Sequence, residues 1–186
     1  EVFVLFICSF TGHLPLTVIQ ILWINIVTDT TVAMAQATDP SNPNVMNSPP
    51  RPKKQGIIDR RLRWLVGLIG FQKVAVLLAI FYIGIKMSGY EMGNTMLFTT
   101  IVLYAFVRVA VIRVEEGMPL FINKWVNLAI LTSLILQLLV LYTPMNSFFG
   151  VTPPGFKEWG VMLAFTAVSW FSGVWIAKTV IRKVPA

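Results

Sequence analysis

The chain has 186 residues, of which 56% are hydrophobic and only 12% charged, with a mean hydropathy of +0.73. A soluble domain carries about twice that share of charge, and the apolar runs are long and do not alternate, which excludes a membrane barrel. The net charge of +7 collects at the ends of apolar runs, where it sets orientation and meets anionic head groups, so the bilayer and not nucleic acid is the expected partner.

The composition therefore predicts an all-α, polytopic helical bundle with one partial and five full spans. Residues 1–11 make only half a span and read as the end of a helix truncated upstream. There is no signal peptide and no initiator methionine, which predicts a fragment or a processed chain. Cys8 is the only cysteine, so neither an internal disulfide nor a thiolate metal cluster is expected. Gly12, His13 and Pro15 form a turn, with His13 an interfacial turn residue.

Residues 16–38, LTVIQILWINIVTDTTVAMAQAT, are long and apolar enough to cross a bilayer. Yet Asn25, Thr28 and Asp29 lie near the middle, at i, i+3 and i+4, on one face of an α-helix. A carboxylate at that depth costs roughly 2.5–3.5 kcal/mol on insertion scales. Amide, hydroxyl and carboxylate oxygens suit a hard cation. Two readings stay open: an ion site, or a satisfied polar patch between packed helices.

Residues 39–61 follow. Prolines 40, 43, 49, 50 and 52 forbid a long helix, and Arg51, Lys53, Lys54, Arg60 and Arg61 place this loop on the cytoplasmic side. Four further spans fill residues 62–183. The first, about 62–87, holds Lys73 beside Gln72. Lys73 either snorkels or pairs with a neighbouring helix, or stands as a tethered cation near an ion path. Gly67 and Gly70 mark a face for close helix approach. A short turn around Lys86, Gly89, Glu91, Gly93 and Asn94 leads to a span at about 95–114 that contains Arg108. Loop 115–124 returns to the cytoplasm. The span at about 125–142 is nearly all aliphatic and reads as a packing or lipid-facing helix. Residues 143–159 form an outer loop whose aromatics suit an interfacial belt. The last span, about 160–180, leaves the C-terminus cytoplasmic beside Lys178, Arg182 and Lys183.

Of the eight acidic residues, only Glu1 and Asp29 lie at membrane depth by this reading; the others fall in loops or at borders. Glu1 precedes the turn by about ten residues and Asp29 follows it by about fourteen, so at roughly 1.5 Å per residue their depths agree within about one helical turn. Glu1, Asn25, Thr28 and Asp29 together are a plausible set for one divalent ion, with protons as the counter-occupant of facing carboxylates. No Walker motif, Ser-His-Asp set or zinc spacing is present, so no ATP chemistry is expected of these residues themselves.

The segments LWINIVTD at 22–29, TDP at 38–40 and PPRPKK at 49–54 resemble the sixth transmembrane span and following loop of P-type cation-transporting ATPases, the calcium pumps above all. Glu1-Val2 is similar to the acidic position of that family's fifth span, and NKWVN at 123–127 to the start of its ninth. The resemblance implies the fifth to tenth spans. It assigns Glu1, Asn25, Thr28 and Asp29 as ligands for a transported cation, calcium first. It implies coupling of the membrane site to a phosphorylation domain through the 39–59 loop. ATP and magnesium would belong to phosphorylation and nucleotide domains outside this chain, which with the earlier spans are its implied partners. Thr30, Thr31 and Val32 replace the Gly and Pro that often follow the Thr-Asp pair, which implies less unwinding. The eighth-span ligand position falls near Ala105, with Arg108 one turn later, which argues against a second calcium. The competing expectations are a free-standing transporter or channel subunit, and a scaffold in which Asp29 merely pairs with Lys73 or Arg108.

Overall fold

A computed structural model of the chain describes residues 2–10, 12, 14–39, 60–116, 118–119 and 121–183. Glu1, His13 and most of the 39–61 loop lie outside the described residues.

Helices α1 (Val2–Phe10), α2 (Val18–Trp23), α3 (Thr31–Gln36), α4 (Arg60–Ser88), α5 (Tyr90–Glu116), α6 (Lys124–Tyr142), α7 (Met145–Phe149) and α8 (Phe156–Lys183) follow in order. Between α2 and α3 lies a π-helical segment, Ile24–Thr30, which makes one continuous span of Val18–Gln36. Among the described residues, five helices are long and apolar enough to cross a membrane. The helical fold follows from the solvent: in hydrocarbon, every main-chain polar group must be satisfied within its own segment.

The α5 helix is the spine. It packs along α4 and α8 and touches α6 and the π segment. Its Thr95, Thr99 and Thr100 are buried, and Leu97, Phe98, Ile101 and Tyr104 join Phe81, Leu141 and Phe149 in the main apolar core.

The span that begins at α2 is anchored at its start. Thr17 and Gln20 form a reciprocal capping box, and the buried Gln20 amide donates onward to Phe149 O at 2.9 Å. Trp23 packs edge-on against Phe149. Its indole N–H donates to Gln137 Oε1 at 3.2 Å, and Gln137 Nε2 donates to Thr99 Oγ1 at 3.2 Å. The α6 helix is thus a packing helix, but its Ser133 and Gln137 form a polar seam that its aliphatic character conceals.

Two expectations need correction. The turn expected over 86–94 shrinks to Gly89 alone, and Glu91, Gly93 and Asn94 are helical. Gly89 has φ +91°, a left-handed conformation that lets the chain reverse in one residue. Close helix approach does not occur at Gly67 and Gly70, where a Cβ would meet nothing within 4 Å. It occurs instead at Gly84 and Gly93, where α4 and α5 touch through their backbones. A Cβ on Gly84 would lie 2.7 Å from Gly93 Cα. Gly84→Ala should therefore force the helices apart and destabilise by about 1–3 kcal/mol. Gly67→Ala should be neutral, and thermal melting in detergent reads the difference. Equal melting of the two variants would refute this crossing.

Two smaller differences concern the outer loop. Residues 145–149 form helix α7, and α8 begins at Phe156 rather than 160. Phe148 and Phe156 are exposed as a belt requires, while Phe149 is buried and Trp159 Nε1 donates to Tyr142 Oη at 2.7 Å.

Candidate ion site and its supports

The span carrying Asn25, Thr28 and Asp29 does not hold α-geometry there. All three fall in the π segment, whose i→i+5 closure widens the turn and removes the α-spacing that aligned them on one face. Thr28 is buried, Asp29 half-buried and Asn25 exposed. Helicity does persist through Thr30–Val32, where the sequence lacks Gly and Pro.

Thr28 and Asp29 open onto a cavity of about 340 Å³ between this span, α4 and α5. Lys73, Tyr104 and Arg108 share it, and the rest of the lining is mainly apolar. Asn25 does not line it. Ala105 does, so a methyl group stands where the family resemblance would place a ligand. Arg108, one turn on, reaches across: its Nη1 donates to Asp29 Oδ1 at 2.7 Å. The two side chains are 40% and 39% exposed, so this pair is not sealed in a core. Arg108 Nε and Nη2 and Thr28 Oγ1 are buried with no hydrogen-bond partner among the described residues. A buried hydroxyl without a partner is costly, and such atoms need an explanation. Lys73 lies with its ammonium 5.7 Å from the centre of the Tyr104 ring, a cation–π contact that both binds it to α5 and keeps it beside the cavity. Its neighbour Gln72 donates to Ser169 O at 2.8 Å and to Ser172 Oγ, tying α4 to α8. Among the described residues, no three His, Cys, Asp or Glu side chains converge.

A second polar node closes the far end of the span. Asp39 Oδ1 accepts from Arg113 Nη2 at 2.7 Å and from Asn123 Nδ2 at 2.6 Å. Asn123 also donates to Thr38 Oγ1 and Ala35 O, while its own Oδ1 caps α6 by accepting from Trp125 N at 2.8 Å. Arg113 is 1% exposed. Burial pushes the Asp39 carboxyl upward, but the hydrogen bonds from Arg113 and Asn123 and the Arg113 charge outweigh it and hold the carboxyl below the ordinary 3.8. One buried guanidinium and one amide thus join the ends of three helices, where the chain enters residues 40–59.

Sequence reasoning singled out Arg108 and Lys73 but missed Tyr104, Arg113, Asn123, Ser133 and Gln137 as site supports. Ser133 and Gln137 did carry a signal: they stand at i and i+4, the spacing that drew attention to Asn25 and Asp29.

Residues 13–180 match the sequence family described as "Cation transporting ATPase, C-terminus". The chain is 32% identical over 176 residues to "Calcium-transporting ATPase 7, plasma membrane-type" of Oryza sativa subsp. japonica, covering 91% of this chain and 17% of that protein. It is 32% identical over 170 residues to "Calcium-transporting ATPase" of Bacillus subtilis (strain 168), covering 85% of this chain and 18% of that protein. It is 32% identical over 175 residues to "Calcium-transporting ATPase 1" of Schizosaccharomyces pombe, covering 91% of this chain and 19% of that protein. The chain spans less than a fifth of the length of these relatives.

Proposed function

Because the chain belongs to the C-terminal membrane domain family of P-type cation-transporting ATPases, we propose that it carries part of the path of a transported cation, calcium in the first instance. The observation that carries this reading is the pairing, inside one membrane span, of the partnerless buried Thr28 hydroxyl with the Asp29 carboxylate on a shared cavity. Both are hard oxygen ligands, suited to calcium. Glu1, outside the described residues, and Asn25, exposed on the π segment, are the remaining oxygen ligands proposed for the set. The relatives' names, which specify calcium transport, support the choice of ion.

Arg108 acts as a counter-charge. Its guanidinium engages one Asp29 oxygen, so the site takes one calcium per cycle. Protons are the counter-ion proposed for the return step. In this reading the 39–61 loop, the 115–124 loop and the C-terminus face the cytoplasm. Phosphorylation and nucleotide domains, with their ATP and magnesium, act on the site through residues 39–59.

The Asp29–Arg108 pair also favours a second reading, a scaffold in which the pair only holds helices together. The two differ on ion dependence. An antibody against residues 39–59 should detect in native membranes a band on the order of five times 20.9 kDa, consistent with a chain that spans less than a fifth of its relatives. That polypeptide should form a calcium-dependent phosphoenzyme from ATP, and Asp29→Asn should move that dependence to far higher calcium. Phosphoenzyme that forms with unchanged calcium dependence in Asp29→Asn would leave the scaffold reading standing.

A further inference from the structure

Three consecutive main-chain carbonyls of the π segment each accept a side-chain hydroxyl. Asn25 O accepts from Thr30 Oγ1 at 2.8 Å, and Ile26 O from Thr31 Oγ1 at 3.1 Å. Val27 O accepts from Ser133 Oγ at 2.9 Å, a bond that crosses from α6. In an α-helix a threonine hydroxyl reaches the carbonyl three or four residues back. Here both threonines reach five back, the interval of π closure. Ser133 is buried at 1% exposure and shares its one proton between Val27 O and Ala129 O, also 2.9 Å away.

Four hydroxyls surround this segment: those of Thr28, Thr30, Thr31 and Ser133. Three are engaged on carbonyls. The fourth, Thr28 Oγ1, is the buried one without a partner, and it faces the same cavity as Asp29. The division follows from the geometry of the wide turn. Were the segment to close to α-geometry, one residue's worth of rotation, about 100°, would be added between α2 and α3. Asp29 would then no longer keep both its place on the cavity and its bond to Arg108. A wide turn of this kind persists only where its surroundings over-determine it.

We propose that Ser133, with Thr30 and Thr31, forms a hydroxyl clamp that holds the π turn open and thereby sets the affinity of the Thr28–Asp29 site for its cation. Ser133 is a positioning residue: it touches no cation and acts through the main chain of Val27. The proposal rests on the reading of Thr28 and Asp29 as cation ligands.

The test uses the polypeptide that carries this chain, in membranes, and reads the calcium concentration that gives half-maximal phosphoenzyme, together with the maximal level per amount of protein. Ser133→Ala should raise the half-maximal concentration about threefold or more, the size expected for losing one net hydrogen bond, while the maximal level holds. Ser133→Thr restores the hydroxyl and should restore the affinity. An unchanged half-maximal concentration in Ser133→Ala overturns the clamp, as does a fall confined to the maximal level, which marks a merely structural role. If Ser133→Ala fails to accumulate, the Thr30→Val/Thr31→Val pair decides on the same readout, with a rise supporting the clamp and no rise overturning it. Asp29→Asn runs in parallel. If Asp29→Asn shifts the calcium dependence and the clamp variants do not, only the clamp is lost. If Asp29→Asn itself is silent, the site assignment falls instead.

Discussion

Arg108→Gln should lower the calcium concentration for half-maximal phosphoenzyme formation by about tenfold or more, whereas Asp29→Asn should raise it by about a hundredfold. The argument starts from the 2.7 Å bond between Arg108 Nη1 and Asp29 Oδ1. A guanidinium at that distance occupies one of the oxygens a divalent cation would use, and it repels the cation. For a unit charge and a divalent ion roughly 6 Å apart at an effective dielectric constant near 20, the repulsion is about 5.5 kcal/mol before any relaxation. Retaining a quarter of that gives about 1.4 kcal/mol, a factor of ten. Removing the carboxylate has the opposite sign, because the cation then meets an uncompensated guanidinium. The scaffold reading predicts another pattern: each single substitution breaks a pair and lowers thermal stability, the double substitution recovers part of the loss, and calcium dependence does not move. Measuring melting and half-maximal calcium on the two singles and the double separates these patterns. An unchanged half-maximal calcium in Arg108→Gln would remove the counter-charge role.

The helical membrane-bundle class and the long apolar helices among the described residues were legible in the sequence, because hydrocarbon permits few alternatives and the apolar runs are unbroken. Boundaries were less so. The Lys86–Asn94 stretch looks like a loop by composition, yet the single left-handed Gly89 makes the reversal and the rest continues as helix. Glycine alone did not say which glycines meet. Gly67, Gly70, Gly84 and Gly93 are alike in sequence, and only the α4–α5 crossing selects the last two. At the site, polarity at membrane depth singled out Asn25, Thr28, Asp29, Lys73 and Arg108, and of these all but Asn25 line one cavity. The π geometry was not legible, since it depends on Ser133, 106 residues beyond Val27 in the chain. Pairing across such separations is a property of helix packing, and no local pattern encodes it.

Asp39→Asn should destabilise the folded chain on the order of 3 kcal/mol, the largest stability loss expected of any polar substitution here. Asp39 is the carboxylate that faces Arg113, a guanidinium with 1% exposure, at 2.7 Å. Replacing it with a neutral amide removes the counter-charge that stands 2.7 Å from this buried guanidinium, and losing such a buried contact costs far more than losing a surface pair. Arg113→Met should cost less than Asp39→Asn, because it removes the buried charge instead of weakening its compensation, and the double substitution should cost less than the sum of the two. The pH dependence follows from the direction of the Asp39 shift. The folded carboxyl is held below its ordinary value, so the folded state binds its proton more weakly than the unfolded chain. The contribution is therefore fully present above the ordinary 3.8 and is lost as pH falls through the depressed folded value. Melting of detergent-solubilised protein should accordingly show a wild-type advantage over Asp39→Asn at neutral pH that narrows in strong acid. A difference that persists unchanged into strong acid would mean that Asp39 acts by shape and not by charge. The consequence reaches past stability. Asp39 closes the span that carries Asp29, and Asn123 ties the same oxygen to the first turn of α6, whose Ser133 holds the π segment. Under the proposed coupling through residues 39–59, this charge-paired joint lies between that segment and Asp29. Asp39→Asn should loosen that joint and broaden the calcium dependence of phosphoenzyme formation along with the melting transition.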